Sequence, residues 1–367
     1  MYILDIDTKQ PYRVYIGTML LEQTGTLTRE ACGGERAVIV TDTNVGPLYA
    51  LPVRKSLEEA GYAVDVFTFD AGEEHKRADT YVSILEFMAR HEMTRSDVVV
   101  ALGGGVTGDM AGFAAATYMR GCSFVQVPTS LLAMVDSSVG GKCAIDLAAG
   151  KNLAGAFWQP KLVIADIGCL ATLEREQFAD GCGEVIKHAA IADADLFEEL
   201  ERTPLTLDLL MEDVSRVALL VARNIDIKRA VVVADERESS VRKLLNFGHS
   251  IGHAVEASEN YRLGHGTCVA IGMNLIASAS AHRGYCDAEV PSRIRSLTAA
   301  HGLQNTCSRN VEEIYAAALH DKKRRGDSID LVIPHAIGAC SIEPTDLEEF
   351  RSIISEGLEM QEGDIAC

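Results

Sequence analysis

The chain has 367 residues, of which 47% are hydrophobic and 24% are charged, and its formal net charge is −19. This length predicts two domains, and the ordinary composition indicates a globular protein. The strong negative charge argues against nucleic acid or an anionic membrane as a partner, because both of these bind basic surfaces.

The cysteines and the N-terminal sequence indicate the compartment. The ten cysteines form no C-x-x-C pair and fall in predicted strands and helices, which is typical of reduced thiols rather than of a disulfide framework. The start, MYILDIDTKQPYRV, lacks the basic segment and apolar core of a signal peptide. No stretch approaches the roughly 18 apolar residues that a membrane span needs. We therefore expect a cytoplasmic protein.

Strands alternate with helices in the first 170 residues. Short apolar strands rich in β-branched residues are predicted at 36–42, 63–69, 96–104, 122–128 and 161–166. Helices are predicted between them, including 47–60 and 77–93. This alternation is typical of a parallel sheet that helices cover on both faces. We predict a Rossmann-like α/β domain over residues 1–170.

After about residue 170, helical periodicity replaces the strand pattern. Amphipathic helices are predicted at 174–201, 207–230, 244–258, 266–283, 291–302, 310–321 and 345–360. One late strand or hairpin is predicted at 328–334. We therefore expect a second, α-helical domain over residues 171–367.

A glycine-rich loop, ALGGGVTGDMAGF (101–113), follows a predicted strand and opens a helix. Gly103, Gly105 and Gly108 satisfy the pattern G-x-G-x-x-G, in which missing side chains let backbone N–H groups approach a pyrophosphate. This context favours dinucleotide or phosphate binding over the alternative, a plain tight turn. The next strand ends in VPTS without an acid, so the ribose of NAD would need an acid from elsewhere. Asp42 and Glu73 are the candidates.

The segment VPTSLLAMVDSSVGGKCAIDLAAGKNLAGAFWQP (127–160) places charged and amide side chains among glycines and small residues. These are Asp136, Lys142, Lys151 and Asn152. Lysines in such surroundings suit phosphate and polyol hydroxyl groups. We expect ligand contacts here, and the alternative is a solvated loop whose lysines face water.

A possible metal site begins in LLNFGHSIGHAVE, where His249 and His253 share one face of a predicted helix. His265, in LGHGTCVAIGM, and Glu184, in DGCGEVIKHAAI, could complete it. One glutamate and two histidines are a common catalytic zinc arrangement, but spacing alone does not choose between the histidines. Two further histidines are expected not to bind the metal, His75 and His188.

Seven motifs, taken together, resemble the 3-dehydroquinate synthase family within the sugar phosphate cyclases. They are GGGVTGDMAGF, YMRG, VPTSLLAMVDSSVGGKCAID, GKNLAGAFWQP, EVIK, KLLNFGHSIGHAVE and HGTCVAIGM. The resemblance extends over nearly the whole chain, from the strand ending at Asp42 to about residue 340. It implies a Rossmann-like NAD-binding domain followed by an all-α domain that binds the metal and the substrate.

The resemblance implies one multistep reaction of the shikimate pathway. The substrate would be 3-deoxy-D-arabino-heptulosonate 7-phosphate, and the products would be 3-dehydroquinate and phosphate. Transient oxidation by NAD+ would precede phosphate elimination, reduction, ring opening and aldol closure, so that NAD+ is regenerated each turnover. The resemblance also implies bound Zn²⁺ or Co²⁺ and a homodimer.

The resemblance assigns residues to these roles by position. Metal ligands would be Glu184, His249 and His265, which leaves His253 for the substrate. Catalytic residues would be Lys142, Lys187, Glu238, Arg242, Asn246 and His253. Substrate-binding residues would be Asp136, Lys142, Asn152, Lys187, Lys228, Arg242, Asn246, His253, Lys322 and Arg120, the last reaching a neighbouring subunit's phosphate. NAD would be bound by Asp42, Asn44, Glu73, Lys76, Gly104, Gly105, Val106, Asp109, Thr129, Ser130, Lys142, Lys151, Cys169 and Thr172.

The chain departs from the family pattern at a few positions. The family often has a basic residue at Ala171, Tyr-Gly at His188-Ala189, and Glu at Thr267. These changes put cofactor affinity in doubt rather than the reaction. The remaining alternatives are a cyclase of the aminodehydroquinate, 2-deoxy-scyllo-inosose or valiolone type, and a metal-dependent NAD oxidoreductase of the glycerol dehydrogenase type. The last would release NADH and would not need a dense set of phosphate-binding cations.

Overall fold

The computed structural model describes residues 1–259, 262–319, 324–325 and 328–365 of the chain. The chain forms two compact units. Unit 1 comprises Met1–Leu173 and Leu209–Arg229, and unit 2 comprises Glu174–Asp208 and Ala230–Cys367. Within the part of the chain that the structure describes, no helix is both long and apolar enough to span a lipid bilayer.

Unit 1 is built on a predominantly parallel sheet. Its strands are β1 (Tyr2–Ile6), β2 (Tyr12–Gly17), β3 (Arg36–Asp42), β4 (Ala63–Phe69), β5 (Val98–Gly103), β6 (Ser123–Pro128), β7 (Lys142–Leu147), β8 (Gly150–Phe157) and β9 (Leu162–Asp166). The main sheet has the order β1-β2-β9-β6-β5-β3-β4, in which only β1 and β2 pair antiparallel. β7 and β8 form a separate antiparallel hairpin.

The helices of unit 1 include α1 (Thr24–Ala31), α2 (Gly46–Glu59), α3 (Ala78–Arg90) and α4 (Gly105–Thr117). The central strands form because their apolar residues are almost continuous, as expected when helices cover both faces of a parallel sheet. Val38 pairs in register with Val99, and both are fully buried with Met110 of α4. Because the parallel strands point the same way, their carboxyl ends meet at one sheet edge, where ligands of such folds bind.

Unit 2 is mainly helical. The helices that follow α4 are α5 (Arg175–Ala192), α6 (Ala194–Arg202), α7 (Leu207–Glu212), α8 (Val214–Ala234), α9 (His249–Ser258), α10 (His265–His282), α11 (Glu289–Ala300), α12 (Val311–Ala318) and α13 (Leu347–Ile365). Most of α7 and α8 lies in unit 1, because Leu209–Arg229 belongs to that unit, and the other helices lie in unit 2. A small antiparallel sheet contains β10 (Arg324–Arg325), β11 (Ser328–Ala336) and β12 (Ala339–Asp346). α10 is buried almost all round and packs against α5, α9, α11 and α13.

The structure confirms the predicted fold class but corrects some element boundaries. The helix predicted over 174–201 is divided at Asp193, whose carboxylate accepts a hydrogen bond from Leu196 N at 3.0 Å and caps α6. The helix predicted over 207–230 is similarly divided at Asp213, which caps α8 through Arg216 N at 3.0 Å. The segment 127–160, for which the sequence predicts ligand contacts but no element after residue 128, contains a π-helical turn and the β7–β8 hairpin.

Candidate active site

The glycine loop of unit 1 joins the end of β5 to the start of α4. A Cβ atom at Gly103 would lie 2.4 Å from Thr107 Oγ1, and one at Gly108 would lie 2.7 Å from Gln126 Oε1. Gly103 therefore leaves the space that the Thr107 side chain occupies, and Gly108 lies close to the side-chain amide of Gln126 on β6. α4 begins at Gly105, with Gly104 as its N-cap, and the first backbone N–H groups of such a helix can bind phosphate.

Asp42 joins the end of β3 to this loop. Its Oδ1 accepts hydrogen bonds from the backbone N–H groups of Asn44 and Val45, both at 2.9 Å, and its Oδ2 accepts one from Thr107 Oγ1 at 3.1 Å. The backbone N–H of Thr129, after β6, donates to Gly103 O at 3.0 Å. The structure thus brings the predicted cofactor residues of β3, β5 and β6 to one sheet edge. Sequence reasoning missed Thr107.

Lys76 is buried and lies at the centre of a charge network in unit 1. Its Nζ lies 2.7 Å from Asp109 Oδ2, 2.6 Å from Asn152 Oδ1 and 3.8 Å from Glu73 Oε1. Lys151 Nζ lies 3.1 Å from the same Glu73 oxygen. Burial alone would lower the pKa of Lys76, but Asp109 and Glu73 outweigh burial and raise it. Lys76 therefore stays charged and joins residues distant in sequence.

The β7–β8 hairpin presents the lysines and the asparagine predicted to contact ligand. Asn152 has a φ of +52° and donates its backbone N–H to Asp146 Oδ1 at 2.7 Å. The backbone N–H of Asp146 donates to Lys76 O at 2.7 Å, which attaches the hairpin to the charge network. Lys142 is exposed at the start of β7. Asp146 was not identified from the sequence.

The other predicted residues of unit 1 lie in several places. Lys228, which is 5% exposed, pairs with Asp136 Oδ1 at 2.7 Å. Thr172 Oγ1 and Cys169 O lie 2.7 and 3.2 Å from the hydroxyl of Tyr49, a residue that sequence reasoning missed. Val106 lies in the first turn of α4, and the Ser130 hydroxyl accepts a hydrogen bond from Ala133 N at 3.2 Å. Arg120 is exposed and has a φ of +68°.

Unit 2 contains the predicted metal centre. Glu184 is fully buried on α5, and its Oε1 lies 3.6 Å from His249 Nε2 and 3.3 Å from His265 Nε2. One ring nitrogen from each of His249, His253 and His265 lies within 4.8 Å of the others. Glu184 also forms an ion pair with Lys187, which is 1% exposed and three residues later on the same helix. Glu184 is about 60 to 80 residues away from His249 and His265 in the sequence, and the fold brings the three side chains together.

Close backbone contact between α5 and the start of α10 explains this convergence. A Cβ atom at Gly266 would lie 1.8 Å from Asp180 O, and one at Gly183 would lie 2.4 Å from Gly266 O. The Asp180 carboxylate accepts a hydrogen bond from Thr267 N at 2.9 Å, in the first turn of α10. Paired glycines therefore allow the approach of two helices, and their sequence neighbours Glu184 and His265 become spatial neighbours.

The donor set fits a divalent metal ion. Imidazole nitrogens with one carboxylate are typical ligands for Zn²⁺ and also suit Co²⁺. Burial alone would lower the pKa of His265, but hydrogen bonds to Glu184 and Glu256 outweigh it and raise the pKa to about 10. Two buried carboxylates thus place negative charge around this imidazole, and a cation is favoured there.

The segment between α8 and α9 carries two predicted substrate-binding residues, Arg242 and Asn246, and the predicted catalytic residue Glu238. Arg242 is 1% exposed and donates from Nη1 to Glu236 O at 2.6 Å. Asn246 Nδ2 donates to Glu238 Oε1 at 2.8 Å. Asp235 organises this segment, because its carboxylate accepts the backbone N–H groups of Ser239, Ser240 and Arg242 at 2.9, 2.6 and 3.2 Å. The sequence feature that could have identified Asp235 is the pattern D-x-x-x-S-S.

Lys322 lies outside the described residues, so its predicted place is not assigned. Fully buried His188 lies on α5 one turn after Glu184, and half-buried His75 lies in a short 3₁₀ turn of unit 1.

A parallel α/β unit with a glycine loop, and a helical unit with a histidine–glutamate centre, together define the class of metal-dependent enzymes that use a dinucleotide.

Comparison with known proteins assigns the family. Residues 66–180 match the family model described as 3-dehydroquinate synthase N-terminal, and residues 181–324 match the one described as 3-dehydroquinate synthase C-terminal. A 3-dehydroquinate synthase of Streptococcus suis (strain 05ZYH33) is 42% identical over 346 residues, which cover 94% of this chain and 97% of the relative. The chain belongs to the 3-dehydroquinate synthase family, and the predicted family and enzyme activity are confirmed.

Solved structures support the fold. One similar structure is ValA, a 2-epi-5-epi-valiolone synthase from Streptomyces hygroscopicus subsp. jinggangensis 5008 with NAD+ and Zn²⁺ bound. It is 26% identical to this chain with a TM-score of 0.86, and the match covers 96% of this chain and 97% of ValA. A 2-deoxy-scyllo-inosose synthase complexed with carbaglucose-6-phosphate, NAD+ and Co²⁺ is 24% identical with a TM-score of 0.86, covering 97% and 100%. The second likeness concerns the fold alone.

Proposed function

We propose that this chain converts 3-deoxy-D-arabino-heptulosonate 7-phosphate to 3-dehydroquinate and phosphate, with NAD+ and Zn²⁺ or Co²⁺ as cofactors. The observation that best supports the metal-dependent part is that His249 and His265 direct their Nε2 atoms at the same oxygen of Glu184. When bound, the metal ion would polarise substrate hydroxyl groups, and NAD+ would accept a hydride and later return it.

The metal ligands are proposed to be Glu184, His249 and His265. His253 lies on α9 one turn after His249, and its ring centroid is 5.3 Å from that of His249. We assign His253 to the substrate, where a histidine can hold or accept a hydroxyl proton. Lys187 pairs with Glu184 and would offer an N–H donor to substrate oxygen.

The substrate has a phosphate and a carboxylate, and both need positive charge. In unit 2 we assign Lys187, Arg242 and Asn246 to substrate, with Glu238 holding the Asn246 amide. In unit 1 we assign Lys142, Asn152 and the Asp136–Lys228 pair. In a chain with a net charge of −19, such cations are informative, because anionic ligands compensate their desolvation. These residues orient the substrate and stabilise charge that develops during elimination.

The dinucleotide is proposed to bind at the carboxyl edge of the unit 1 sheet. The N–H groups of Gly104 and Gly105 would contact the pyrophosphate, because they open α4 after β5. Asp42 and Glu73 remain the candidate ribose acids. The other assigned positions are Asn44, Lys76, Val106, Asp109, Thr129, Ser130, Lys142, Lys151, Cys169 and Thr172.

The domain roles follow from these assignments. We propose that residues 1–170 form the NAD-binding domain and that residues 171–367 bind metal and substrate. We also propose a homodimer in which Arg120 contacts the substrate phosphate of the neighbouring subunit, which its exposure permits. A cytoplasmic location is supported by the free thiols among the described cysteines, including buried Cys182 and Cys268.

Phosphate release tests the reaction directly. Purified protein, supplied with the heptulosonate phosphate, NAD+ and Zn²⁺ or Co²⁺, should release inorganic phosphate and form 3-dehydroquinate without net NADH. Faster phosphate release from the corresponding amino sugar phosphate would favour an aminodehydroquinate synthase instead. Steady NADH accumulation with glycerol, and no phosphate release, would contradict the cyclase assignment in favour of a dehydrogenase.

A further inference from the structure

A second buried carboxylate contacts the proposed metal centre from its outer side. Glu256 lies on α9 and is 4% exposed, and its Oε2 is 3.5 Å from His265 Nδ1. The other ring nitrogen of His265, Nε2, lies 3.3 Å from Glu184 Oε1. The His265 imidazole is thus placed between two carboxylates, one for each nitrogen.

His249 is oriented in the same way. Its Nδ1 lies 3.2 Å from the carbonyl oxygen of Phe247, and its Nε2 lies 3.6 Å from Glu184 Oε1. Both proposed histidine ligands therefore turn Nε2 toward Glu184 and Nδ1 toward an oxygen acceptor. The acceptor is a neutral carbonyl for His249 and a carboxylate for His265.

The position of Glu256 is unfavourable for a carboxylate. It lies in the last turn of α9, which ends at Ser258, where the helix dipole disfavours negative charge. Its neighbours Ala254 and Val255 are buried apolar residues, and burial of a charge costs free energy unless the charge is paired. Negative charge beside the imidazole would favour a metal ion bound to His265, because it increases the donor strength of the ring.

We propose that Glu256 is a positioning residue that acts through His265 to strengthen metal binding. This inference rests on the proposed metal centre described above. The Glu256 carboxylate accepts a hydrogen bond from Nδ1–H, which fixes the tautomer of His265 with a lone pair on Nε2. An imidazole held in this way is a stronger donor, and loss of such an outer partner typically weakens metal affinity about 10- to 100-fold.

Metal titration tests this role without measuring turnover. Metal-free protein is titrated with Co²⁺ while its visible absorption spectrum is recorded, and with Zn²⁺ in competition with a chromophoric chelator. Glu256→Gln keeps the shape and removes the charge, and we expect its dissociation constant for both ions to rise about 10- to 100-fold. The Co²⁺ absorption bands should also shift, because the donor strength of His265 changes.

Glu259→Gln is the matched control. Glu259 follows one turn after Glu256 and pairs with Arg309 at 2.7 Å. Its substitution should leave both dissociation constants unchanged. If Glu256→Gln also leaves them unchanged, the proposal is wrong. If Glu256→Gln abolishes binding as completely as Glu184→Gln, Glu256 is a ligand, and the positioning role is again wrong.

A double-mutant cycle identifies the route of the effect. In a His265→Ala background, Glu256→Gln should cause almost no further loss of Co²⁺ affinity, because its partner is absent. An undiminished loss would indicate a general charge effect and overturn the proposal. If circular dichroism shows that Glu256→Gln does not fold, Glu256→Asp replaces it in the same metal titrations. This substitution withdraws the carboxylate by one methylene, and the same changes in dissociation constant support or contradict the proposal. If the wild-type protein binds neither ion, the proposed metal centre itself is wrong.

Discussion

Gly266 lies so close to Asp180 that a Cβ atom at Gly266 would be 1.8 Å from the Asp180 carbonyl oxygen. Gly266→Ala would therefore push the start of α10 away from α5 and move His265 away from Glu184. Overpacking of this kind costs about 1–3 kcal/mol. We expect a lower free energy of unfolding in urea and a reduced metal content. Gly33→Ala, where a Cβ atom would meet nothing within 4 Å, should change neither quantity.

The histidine variants distinguish metal ligands from substrate contacts. His249→Ala and His265→Ala should lower the metal content, because each Nε2 lies within 3.6 Å of Glu184 Oε1. His253→Ala should keep the metal and lose turnover, since we assign its imidazole to substrate. Metal per subunit, measured by mass spectrometry of the purified variants, decides between these roles. Metal loss in His253→Ala would reverse our choice of ligands.

Metal binding should release protons near neutral pH. The pKa of His265 is raised to about 10 in the metal-free protein, so the imidazole carries a proton below that pH. A metal ion must displace this proton, and its apparent affinity should therefore rise about tenfold per pH unit between pH 7 and 9. Calorimetry in two buffers with different ionisation enthalpies counts the protons released. A pH-independent affinity would contradict the assignment of His265 as a ligand.

Lys76 and Lys151 should differ in their effects on stability. Lys76→Met leaves the largely buried Asp109 carboxylate, whose side chain is 17% exposed, without its cation and should cost up to about 3 kcal/mol of unfolding free energy. Lys151→Met removes a partly exposed pair with Glu73 and should cost about 0–1 kcal/mol. Both should weaken NAD+ binding, followed by fluorescence. Lys55→Met, which removes an exposed pair with Glu59, is the control for both measurements. Equal destabilisation by the two test variants would contradict the burial argument.

The elements that the sequence predicts well have one strong periodic signal. β3 and β9 each contain four consecutive apolar residues, 37–40 and 162–165, because both faces of the strands are buried, and this pattern is easy to identify. The β7–β8 hairpin was missed because small residues and glycines leave its two faces chemically similar. β1 and β2 were missed because exposed and buried residues alternate irregularly in them, as expected for the antiparallel edge.

The site also contains residues that the sequence predicts and residues that it misses. The chemical types of Glu184, His249 and His265 made them candidates, and motif resemblance chose among the histidines. Asp180 and Glu256 were not predicted, because their importance depends on tertiary contacts with Thr267 and His265 rather than on local pattern. Residues that support other residues are visible only once distant segments are in contact.

Asp235 is such a supporting residue, and its removal should affect stability and substrate binding together. Besides three backbone N–H groups, its carboxylate accepts the hydroxyls of Ser239 and Ser240 at 3.0 and 3.1 Å. Asp235→Asn leaves some of these donors unsatisfied and should cost about 1–3 kcal/mol at pH 7. It should also raise the KM for the heptulosonate phosphate, because Arg242 belongs to the same segment. Asp5→Asn, at an exposed pair with Arg13, is the control.

The stability difference between wild type and Asp235→Asn should depend on pH. Burial alone would raise the pKa of Asp235, but the N–H groups of Ser239, Ser240 and Arg242 outweigh it and hold the pKa well below its usual range. A lowered native pKa means that the contribution is complete above the ordinary carboxyl pKa of about 4 and is lost as pH falls toward the native value. Urea unfolding from pH 7 down to pH 3 should therefore show the two proteins converging only at the acid end. A difference that already disappears between pH 7 and 5 would contradict the role of the ionised carboxylate.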